Sequence, residues 1–523
     1  MIPKRKHIRV TYSTLNSPDP LLHKYFEEDV VKVKDSFGEH FPMYVDGEWV
    51  TADNFFLSVS PVDTTITIGE FQQAGEKDVA AAVEAARSAF LTWRETPWQE
   101  RNALLSRVAD LISERLFMLA AVISIEVGKN RLESIGEVEE AADLIRFCVQ
   151  SMEKNNGYSK HLDSEDSNTS NHSVLKPYGV WGVISPFNFP CALTCGPVGA
   201  ALVAGNTVVH KPADDAAYIS YLLAECFHDA GIPAGVYNMV TGGDAPGKAL
   251  VANSHVNGMS FTGSYEVGMS IMRDYAAGGT FVRPLIAEMG GKNVAIVSRN
   301  ADLETAAFGV VRSAFGATGQ KCSSCSRVYV HRDVKSAFMD RLVELTKQLK
   351  VGDPTLRDND VGPLVNDVAY RAYQKYVAEA AADGEILVGG ETLDENGYYV
   401  APTVVDKLPF EHHLWKQELF VPLVIVGEFN SQDEAMRMAN DVFLGLTAGF
   451  FSQDDREVDW FLDNIEAGCV YVNRAAGATT GAWPGYQAFG GWKGSTGTSK
   501  SSMSHYYLQQ YMREQSQTVV NIG

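Results

Sequence analysis

The second of two α/β segments in this chain opens on the stretch GQKCSSCSR at residues 319–327, which leads into a β-branched run typical of a buried strand. Cys322 lies in this stretch, with Gly316 and Gly319 before it and small hydroxyl residues after it. Glycines permit a tight loop and close approach of a ligand, and a thiol is a good nucleophile when its pKa is lowered or a base lies nearby. With Lys321 beside the thiol, the stretch predicts a nucleophilic Cys322.

Two other interpretations of Cys322 and Cys325 stay open at this point. The Cys-x-x-Cys spacing also fits a redox dithiol, and either thiol fits a small buried hydrophobe. A zinc site is disfavoured, because the other cysteines supply no second close pair and no His-x-x-x-His partner, so we expect no metal. Those other cysteines are Cys148, Cys191, Cys195, Cys226 and Cys469.

Composition and charge indicate an ordinary globular protein. The 523 residues are 45% hydrophobic and 21% charged, which allows two to four domains with sizeable cores. Against 44 Lys and Arg stand 65 Asp and Glu, a formal net charge of −21. This acidic excess disfavours nonspecific binding to nucleic acid or to an anionic membrane.

The cysteine count and the N-terminal residues predict a cytoplasmic protein. An odd number of cysteines without a secretory pattern indicates free thiols, and residues 1–12 contain no apolar run long enough for a signal peptide. Residues 177–209 carry no Asp, Glu, Lys or Arg, but Pro186, Pro190 and Pro197 interrupt them. We therefore expect a buried strand and crossover helix there, and no membrane segment.

Apolar periodicity predicts an α/β fold. Apolar residues at helical spacing from Val79 to Phe90 and from Leu104 to Leu111 predict two early helices. From residue 180, short uncharged runs alternate with helix-length segments, which is typical of a parallel sheet covered on both faces. The predicted strands are 180–184, 207–210, 236–240 and 259–262 in a first series, and 327–331, 399–405, 421–429, 446–451 and 468–473 in a second.

Parallel sheets of this kind bind nucleotides at the carboxyl ends of their strands, but the usual Gly-x-Gly-x-x-Gly fingerprint is missing. Residues 242–249, GGDAPGKA, nearly match a triphosphate-binding loop and lack the Ser or Thr that would hold magnesium. Phe261–Ser264 ends a strand and opens a predicted helix whose free amides suit a pyrophosphate. The polar segment 158–174 predicts a hairpin that leaves the body, with residues 506–520 as its partner.

Six motifs, in order and at similar spacing, resemble the aldehyde dehydrogenase superfamily from near residue 40 to the C-terminus. They are SPFNFP at 185–190, KPA at 211–213, FTGS at 261–264, EMGGK at 288–292, GQKC at 319–322 and ELFVP at 418–422. The resemblance implies an atypical dinucleotide-binding domain at 1–157 and 179–287 and a catalytic α/β domain at 288–485. It also implies a small oligomerisation hairpin and arm at 158–178 and 500–523, and assembly into a dimer or larger.

The resemblance further implies a reaction and three catalytic residues. Cys322 would attack an aldehyde carbonyl, and the amide of Asn188 would hold the oxyanion that forms. Hydride would then pass to a nicotinamide, and Glu288 would activate the water that hydrolyses the thioester. Taken singly, Glu288 fits a solvated acid and Asn188 fits a turn residue, so only the combination assigns these roles.

For the cofactor, the resemblance implies NAD. Lys211 and Glu418 would bind ribose hydroxyls, and Ser264 with its helix would meet the pyrophosphate. Asp214 would accept from the adenosine ribose and repel a 2′-phosphate, which favours NAD over NADP, although it also fits a helix cap. The full predicted set is Ile184, Ser185, Pro186, Phe187, Lys211, Asp214, Gly243, Thr262, Gly263, Ser264, Glu418 and Phe420.

Within the superfamily, the nucleophile loop and residues 480–487 are similar to those of the Δ1-pyrroline-5-carboxylate dehydrogenase group. There a Ser after the nucleophile and a Gly-Ala pair hold the substrate α-carboxylate, and here these are Ser323, Gly481 and Ala482. Phe187 and Phe489 would flank the aliphatic chain. The implied substrate is L-glutamate γ-semialdehyde.

Two departures leave a second substrate class open. Residues 475–479 make the anchor loop longer than usual, and Ala488 replaces the common proline. Another semialdehyde or a larger aldehyde is therefore the alternative substrate. A Cys-dependent thioester hydrolase, a redox protein or a structural protein of the same fold would leave Lys211, Asp214 and Glu418 unexplained.

Overall fold

The computed structural model describes residues 8, 10, 19–277, 281–393 and 395–522. Its helices are α1 Pro20–Asp35, α2 Glu76–Trp93, α3 Trp98–Glu114, α4 Leu116–Val127, α5 Arg131–Lys154, α6 Ala192–Val203, α7 Ala217–Asp229, α8 Asp244–Ala252, α9 Tyr265–Ala277, α10 Leu303–Phe315, α11 Lys335–Lys347, α12 Asp367–Asp383, α13 Gln432–Asn440 and α14 Asp455–Asn464. None of these helices is long and apolar enough to span a bilayer, a finding that covers the described residues alone.

The strands fall into two large sheets and three small ones. They are β1 Glu39–Phe41, β2 Met43–Val45, β3 Glu48–Val50, β4 Asn54–Val59, β5 Thr67–Gln73, β6 Ser159–Leu162, β7 Thr169–Pro177, β8 Val180–Ile184, β9 Thr207–Lys211, β10 Tyr237–Met239, β11 Val256–Thr262, β12 Leu285–Glu288, β13 Asn293–Val297, β14 Cys325–His331, β15 Glu385–Val388, β16 Thr403–Asp406, β17 Leu423–Phe429, β18 Leu444–Gly445, β19 Thr447–Phe451, β20 Cys469–Val472, β21 Trp492–Lys493 and β22 Met512–Val520.

The first large sheet has the order β12-β11-β8-β9-β10-β2-β3 and is parallel from β12 to β10. Its central strands β8 and β9 are nearly all buried and carry almost no charge, as expected for strands covered on both faces. Helix α6 connects β8 to β9, so the uncharged run at 177–209 is the predicted strand and crossover helix. The predicted helices α2 and α3 are also present.

The second large sheet has the order β15-β16-β17-β14-β13-β19-β20 and is parallel except at its β15 edge. Two predicted strands begin too early. The strand predicted from 399 begins at Thr403, directly after Pro402, and the one predicted from 421 begins at Leu423, directly after Pro422. A proline has no N–H for the ladder, so each strand starts beyond it.

A three-stranded antiparallel sheet, β22-β7-β6, contains the predicted hairpin and its partner in the tail. All nine residues of β22 pair with β7, from Met512 with Pro177 to Val520 with Thr169. The partnership predicted for residues 506–520 is therefore confirmed for 512–520. Strands β1–β5, β12 and β13 had no counterpart among the predicted strands.

Candidate active site

The carboxyl ends of β8, β9, β11 and β12 meet at one edge of the first sheet. Ile184 pairs with Lys211 on one side and with Phe261 on the other, and Thr262 pairs with Glu288. This edge is where parallel α/β sheets bind ligands. Residues predicted to bind cofactor thus lie in register with the predicted base.

Cys322 follows a turn whose backbone is left-handed at residues 317–319, with φ of 48°, 56° and 70°. Two of these three residues are not glycine, so the turn needs support from its surroundings. Glu133, in the first turn of α5, accepts from the Ala317 N–H at 2.9 Å. The Thr318 hydroxyl donates to the Gly362 carbonyl at 3.0 Å. These bonds fix the approach to the nucleophile from two distant segments.

Lys321 contacts Glu133, the residue that also holds the turn at 317–319. Its Nζ lies 4.0 Å from Glu133 Oε1, and burial lowers its pKa to about 8 despite that carboxylate. The nearby Lys129 ammonium lowers the pKa of Lys321 as well. Lys321 is therefore paired with Glu133, and its charge is not directed mainly at the Cys322 thiol.

Asn293 holds the backbone just after the nucleophile. Its Nδ2 donates to the Cys322 carbonyl at 2.7 Å and to the Ser324 carbonyl at 2.9 Å, and its Oδ1 accepts from the Thr447 N–H at 3.0 Å. Asn293 was absent from the predicted site, although it directly follows the EMGGK motif. Its amide ties the nucleophile loop to the start of two strands.

Two carboxyl groups lie close enough to the Cys322 thiol to act on its titration. Burial raises the pKa of Cys322 to about 12, and the charges of Glu418 and Glu288 also raise it. The backbone N–H of Ser323 acts in the opposite direction. The thiol pKa is not lowered in the protein alone, so a nucleophilic Cys322 depends on groups brought beside it.

Glu288 is a buried carboxyl with one oxygen available. Oε1 accepts from the Thr496 hydroxyl at 3.2 Å, whereas the buried Oε2 has no hydrogen-bond partner among the described residues. Burial raises the pKa of Glu288 to about 8, and the Thr496 bond lowers it. A carboxyl that titrates near neutral pH suits proton transfer to and from water.

Asn188 is buried, and its two neighbours in the chain are aromatic. The Phe187 ring lies 5.9 Å from the Phe420 ring, centroid to centroid. The Phe189 ring lies 3.5 Å from Nζ of Lys129, the cation that acts on the residue before Cys322. This placement is consistent with an Asn188 amide in the cleft, and its contact with an oxyanion stays a prediction.

Three predicted cofactor residues gather beyond the end of β9. Burial lowers the pKa of Lys211, against the charges of Asp214 and Asp244, which raise it. Oδ2 of the exposed Asp214 lies 3.7 Å from the position that a Cβ on Gly243 would occupy. Helix α8 begins after Gly243 without a side-chain cap, which leaves its first amides for an anion.

Ser185 and Ser264 make bonds within the protein. Ser185 Oγ lies 2.8 Å from His210 Nε2, and burial lowers the pKa of His210 to about 3, so this imidazole is neutral. The Ser185 carbonyl accepts from Ala213 N–H at 3.0 Å, which fixes the turn before Pro186. Ser264 Oγ accepts from the Val267 N–H at 3.3 Å and caps α9.

Glu418 faces the glycine pair that follows Glu288. Its Oε1 accepts from the Gly291 N–H at 3.0 Å, and burial raises the pKa of Glu418 to about 7. A side chain at Gly290 would overlap this carboxyl, so the glycine is required. Phe420, at φ 57°, turns toward Phe187 on the first domain.

The lengthened anchor loop is bonded to the nucleophile stretch. The Thr479 hydroxyl donates to the Ser323 carbonyl at 2.7 Å. Ala482 belongs to the apolar core cluster against which both Phe187 and Phe489 pack. The loop is therefore tied to Ser323, and the contacts of Phe187, Gly481, Ala482 and Phe489 with substrate stay predictions.

Comparison with known proteins shows the family. The Aldehyde dehydrogenase family matches residues 49–517. The chain belongs to the aldehyde dehydrogenase family. It is 35% identical over 493 residues to the 1-pyrroline-5-carboxylate dehydrogenase of Staphylococcus haemolyticus (strain JCSC1435), covering 94% of this chain and 95% of that protein. With the enzyme of that name from Geobacillus sp. (strain WCH70), it shares 35% identity over 513 residues, 97% and 98% of the two chains.

The fold of the whole chain is also similar to that of a solved structure. The 1-pyrroline-5-carboxylate dehydrogenase from Thermus with bound NAD superposes with a TM-score of 0.93 at 32% identity, and 99% of each chain is covered. The resemblance stated from six motifs and the α/β fold class are both confirmed.

Three residues that support the candidate site of this aldehyde dehydrogenase were not predicted from its sequence. They are Glu133, Asn293 and Thr496, which hold the turn, the loop after the nucleophile and the predicted base. Glu133 lies 184 residues from the amide that it binds, and Thr496 lies 208 residues from Glu288. Only Asn293, beside a recognised motif, left a local signal.

Proposed function

We propose that this aldehyde dehydrogenase oxidises L-glutamate γ-semialdehyde, which forms from Δ1-pyrroline-5-carboxylate, to L-glutamate with NAD, in proline degradation. One observation carries the proposal: near full-length similarity at 35% identity to several 1-pyrroline-5-carboxylate dehydrogenases. The anchor loop beside Ser323 supports it, because this loop supplies the group's carboxylate-binding residues. The alternative is another semialdehyde or a larger aldehyde, since residues 475–479 lengthen that loop.

The residues of the first sheet edge fit NAD. Ser264 and the start of helix α9 suit a pyrophosphate, and the buried Lys211 and the Glu418 carboxyl offer partners for ribose hydroxyls. The exposed Asp214 carboxylate beside Gly243 suits the adenosine ribose and repels a 2′-phosphate, which favours NAD over NADP. The remaining predicted contacts are Ile184, Ser185, Pro186, Phe187, Thr262, Gly263 and Phe420.

The chemistry follows from three side chains. After the Cys322 thiol has lost its proton to solvent water, the thiolate Sγ attacks the aldehyde carbon, and the amide of Asn188 with the Cys322 N–H stabilises the oxyanion of the thiohemiacetal. NAD, when bound, accepts the hydride that leaves this carbon and converts the thiohemiacetal to a thioester. Glu288 then takes a proton from water as the water attacks the thioester, and the carboxylate product leaves.

Two groups of residues recognise the substrate, one at its α-carboxylate and one along its methylene groups. The hydroxyl of Ser323 and the N–H groups of Gly481 and Ala482 bind the α-carboxylate without a full ion pair. Phe187 and Phe489 flank the methylene groups. The pocket thereby places the aldehyde end of the substrate toward Cys322.

We also propose that the protein is cytoplasmic and associates into a dimer or larger assembly, without nucleic-acid or membrane partners. Strand β22 is an edge strand of the hairpin sheet and carries exposed Val519 and Val520. An exposed edge with apolar side chains favours pairing with another chain. Sedimentation velocity of the purified protein tests this directly.

A substrate panel tests the function. The assay compares kcat/KM of NADH formation for L-glutamate γ-semialdehyde, its decarboxylated analogue and shorter aldehydes, in the wild type and in Ser323→Ala. We expect the wild type to prefer the α-carboxylate substrate and Ser323→Ala to reduce that preference. Equal kcat/KM values for substrates with and without the α-carboxylate would contradict the assignment, and NADH formation by Cys322→Ala would contradict the mechanism.

A further inference from the structure

Arg474 makes two bonds to the backbone of the anchor loop. Its Nε donates to the Thr480 carbonyl at 3.0 Å, and its Nη2 donates to the Gly481 carbonyl at 3.3 Å. A planar guanidinium therefore spans two consecutive peptide groups. No other residue described in the loop holds both carbonyls in this way.

Because each peptide group is planar, the two bonds from Arg474 to the carbonyls also fix the direction of the N–H groups in the same peptide units. No cis peptide bond occurs among the described residues, and in a trans peptide the N–H points opposite to the C=O. Because Arg474 draws the Thr480 and Gly481 carbonyls to one side, the N–H groups of Gly481 and Ala482 face the other side. Those are the two amides assigned to the substrate α-carboxylate. The Ala482 N–H also acts on the Tyr471 hydroxyl, so the Gly481 N–H is the amide left for the carboxylate.

Gly481 is the residue that permits this arrangement. Its φ is 119°, a backbone conformation that side chains other than hydrogen rarely adopt. A Cβ on Gly481 would also overlap the guanidinium of Arg474. The loop conformation and the Arg474 position therefore require each other.

The rest of the loop is held in place relative to the nucleophile. Thr479 N–H donates to Ser313 Oγ at 3.0 Å, and its hydroxyl donates to the Ser323 carbonyl. The extra residues 475–479 thus connect the two parts of the carboxylate site, Ser323 and the Gly481–Ala482 amides. These bonds fix the position of the loop, and Arg474 fixes the direction of its amides.

We propose that Arg474 is the positioning residue that makes this enzyme specific for aldehydes with an α-carboxylate, an inference that rests on the proposed function. Its paired N–H groups hold the two carbonyls so that the Gly481 amide is aimed at the carboxylate, and it does not contact the reacting atoms. Losing Arg474 should therefore weaken recognition of the carboxylate and leave the chemistry at Cys322 unchanged.

Three variants test the inference: Arg474→Met, Arg474→Lys and the control Arg456→Met, an exposed arginine on α14. For each, kcat and KM are measured with L-glutamate γ-semialdehyde and with its decarboxylated analogue. Because a hydrogen bond to a charged group contributes about 1.5–3 kcal/mol, we expect kcat/KM for the semialdehyde to fall about 10- to 100-fold in Arg474→Met, mostly through KM. The decarboxylated analogue should change less than about twofold.

Arg474→Lys separates positioning from charge. A lysine keeps the charge but cannot present a planar fork to two carbonyls, so the preference should fall nearly as far as in Arg474→Met. Full preference in Arg474→Lys, or an equal loss of activity on both aldehydes in Arg474→Met, would overturn the inference. If an Arg474 variant does not fold, Gly481→Ala, which displaces the same guanidinium, should lose the same preference.

The two proposals fail in different ways. A wild type that does not discriminate between the two aldehydes refutes the proposed substrate. A wild type that discriminates, together with Arg474 and Gly481 variants that discriminate equally well, refutes only the role of Arg474.

Discussion

The titration of the Cys322 thiol tests the electrostatics of the site. Burial, Glu418 and Glu288 raise its pKa from 9.0 to about 12. At pH 8 a thiol with a pKa of 9 is about 9% ionised, whereas one with a pKa of 12 is about 0.01% ionised. The protein alone should therefore hold about a thousandfold less thiolate than an ordinary cysteine, and alkylation should slow accordingly.

Removing a neighbouring carboxylate should reverse part of this effect. The pKa values of Glu418 and Glu288 are raised to about 7 and about 8, so both groups are mainly ionised above pH 8 and oppose the thiolate there. Glu418→Gln and Glu288→Gln should each shift the alkylation profile to lower pH. The larger shift is expected for Glu418→Gln, because its charge contributes more to the raised pKa.

The assay is inactivation by iodoacetamide between pH 6 and 11 without cofactor. The other six cysteines are buried, and Cys322→Ser gives their background rate. We expect the rate to rise about tenfold per pH unit without a plateau below about pH 10. A plateau near pH 8.5, or Gln variants with unshifted profiles, would refute the electrostatic argument.

Three further predictions concern Glu288, Lys129 and Glu133. In the wild type, thioester hydrolysis should speed up as pH rises through about 8. In Glu288→Gln, hydrolysis should be roughly 10²–10⁴-fold slower and insensitive to pH, which would be seen as an NADH burst followed by a slow steady state. Lys129→Met removes the ion-pair partner of the buried Glu137 carboxylate, which keeps only backbone N–H donors from Cys191 and Ala192, and should cost about 3–5 kcal/mol in urea unfolding. The deficit should be smaller at low pH because burial raises the pKa of Glu137. Glu133→Ala should lower kcat about tenfold or more while NAD affinity stays constant, because it frees the turn at 317–319. Unchanged values in any of the three would contradict the corresponding role.

The sequence predicts the centre of the first sheet, but it misses β13, a fully buried inner strand of the second sheet. Strands β8 and β9 are short, apolar and buried, so composition alone locates them. Strands β1–β5 are partly exposed and mixed in character, and their pairing with distant segments has no local pattern. The starts of β16 and β17 were misplaced by a few residues because Pro402 and Pro422 were not weighed.

The candidate site combines residues that stand in recognisable motifs with residues that are distant in the chain. Cys322, Glu288 and Asn188 stand in short motifs, so the sequence alone is enough to propose them, and their roles stay predictions. Glu133 and Thr496 act from far along the chain, and only the fold brings them to the site. The raised pKa of Cys322 is also a property of burial and of two carboxyl neighbours, which no spacing of residues reveals.

These pKa values constrain which group serves which step. A proton passed from a thiol of pKa about 12 to a carboxylate of pKa about 8 moves uphill by a factor of about 10⁴, so Glu288 is a poor base for the resting Cys322. A positive charge beside the sulfur would lower that barrier, and Lys321 supplies little of it, because Glu133 acts on Lys321 more strongly than Cys322 does. The cationic nicotinamide of NAD is the charge that the proposed reaction brings. Under the proposed function, we therefore expect the thiol to be activated after cofactor binding and Glu288 to act on water in the hydrolysis step.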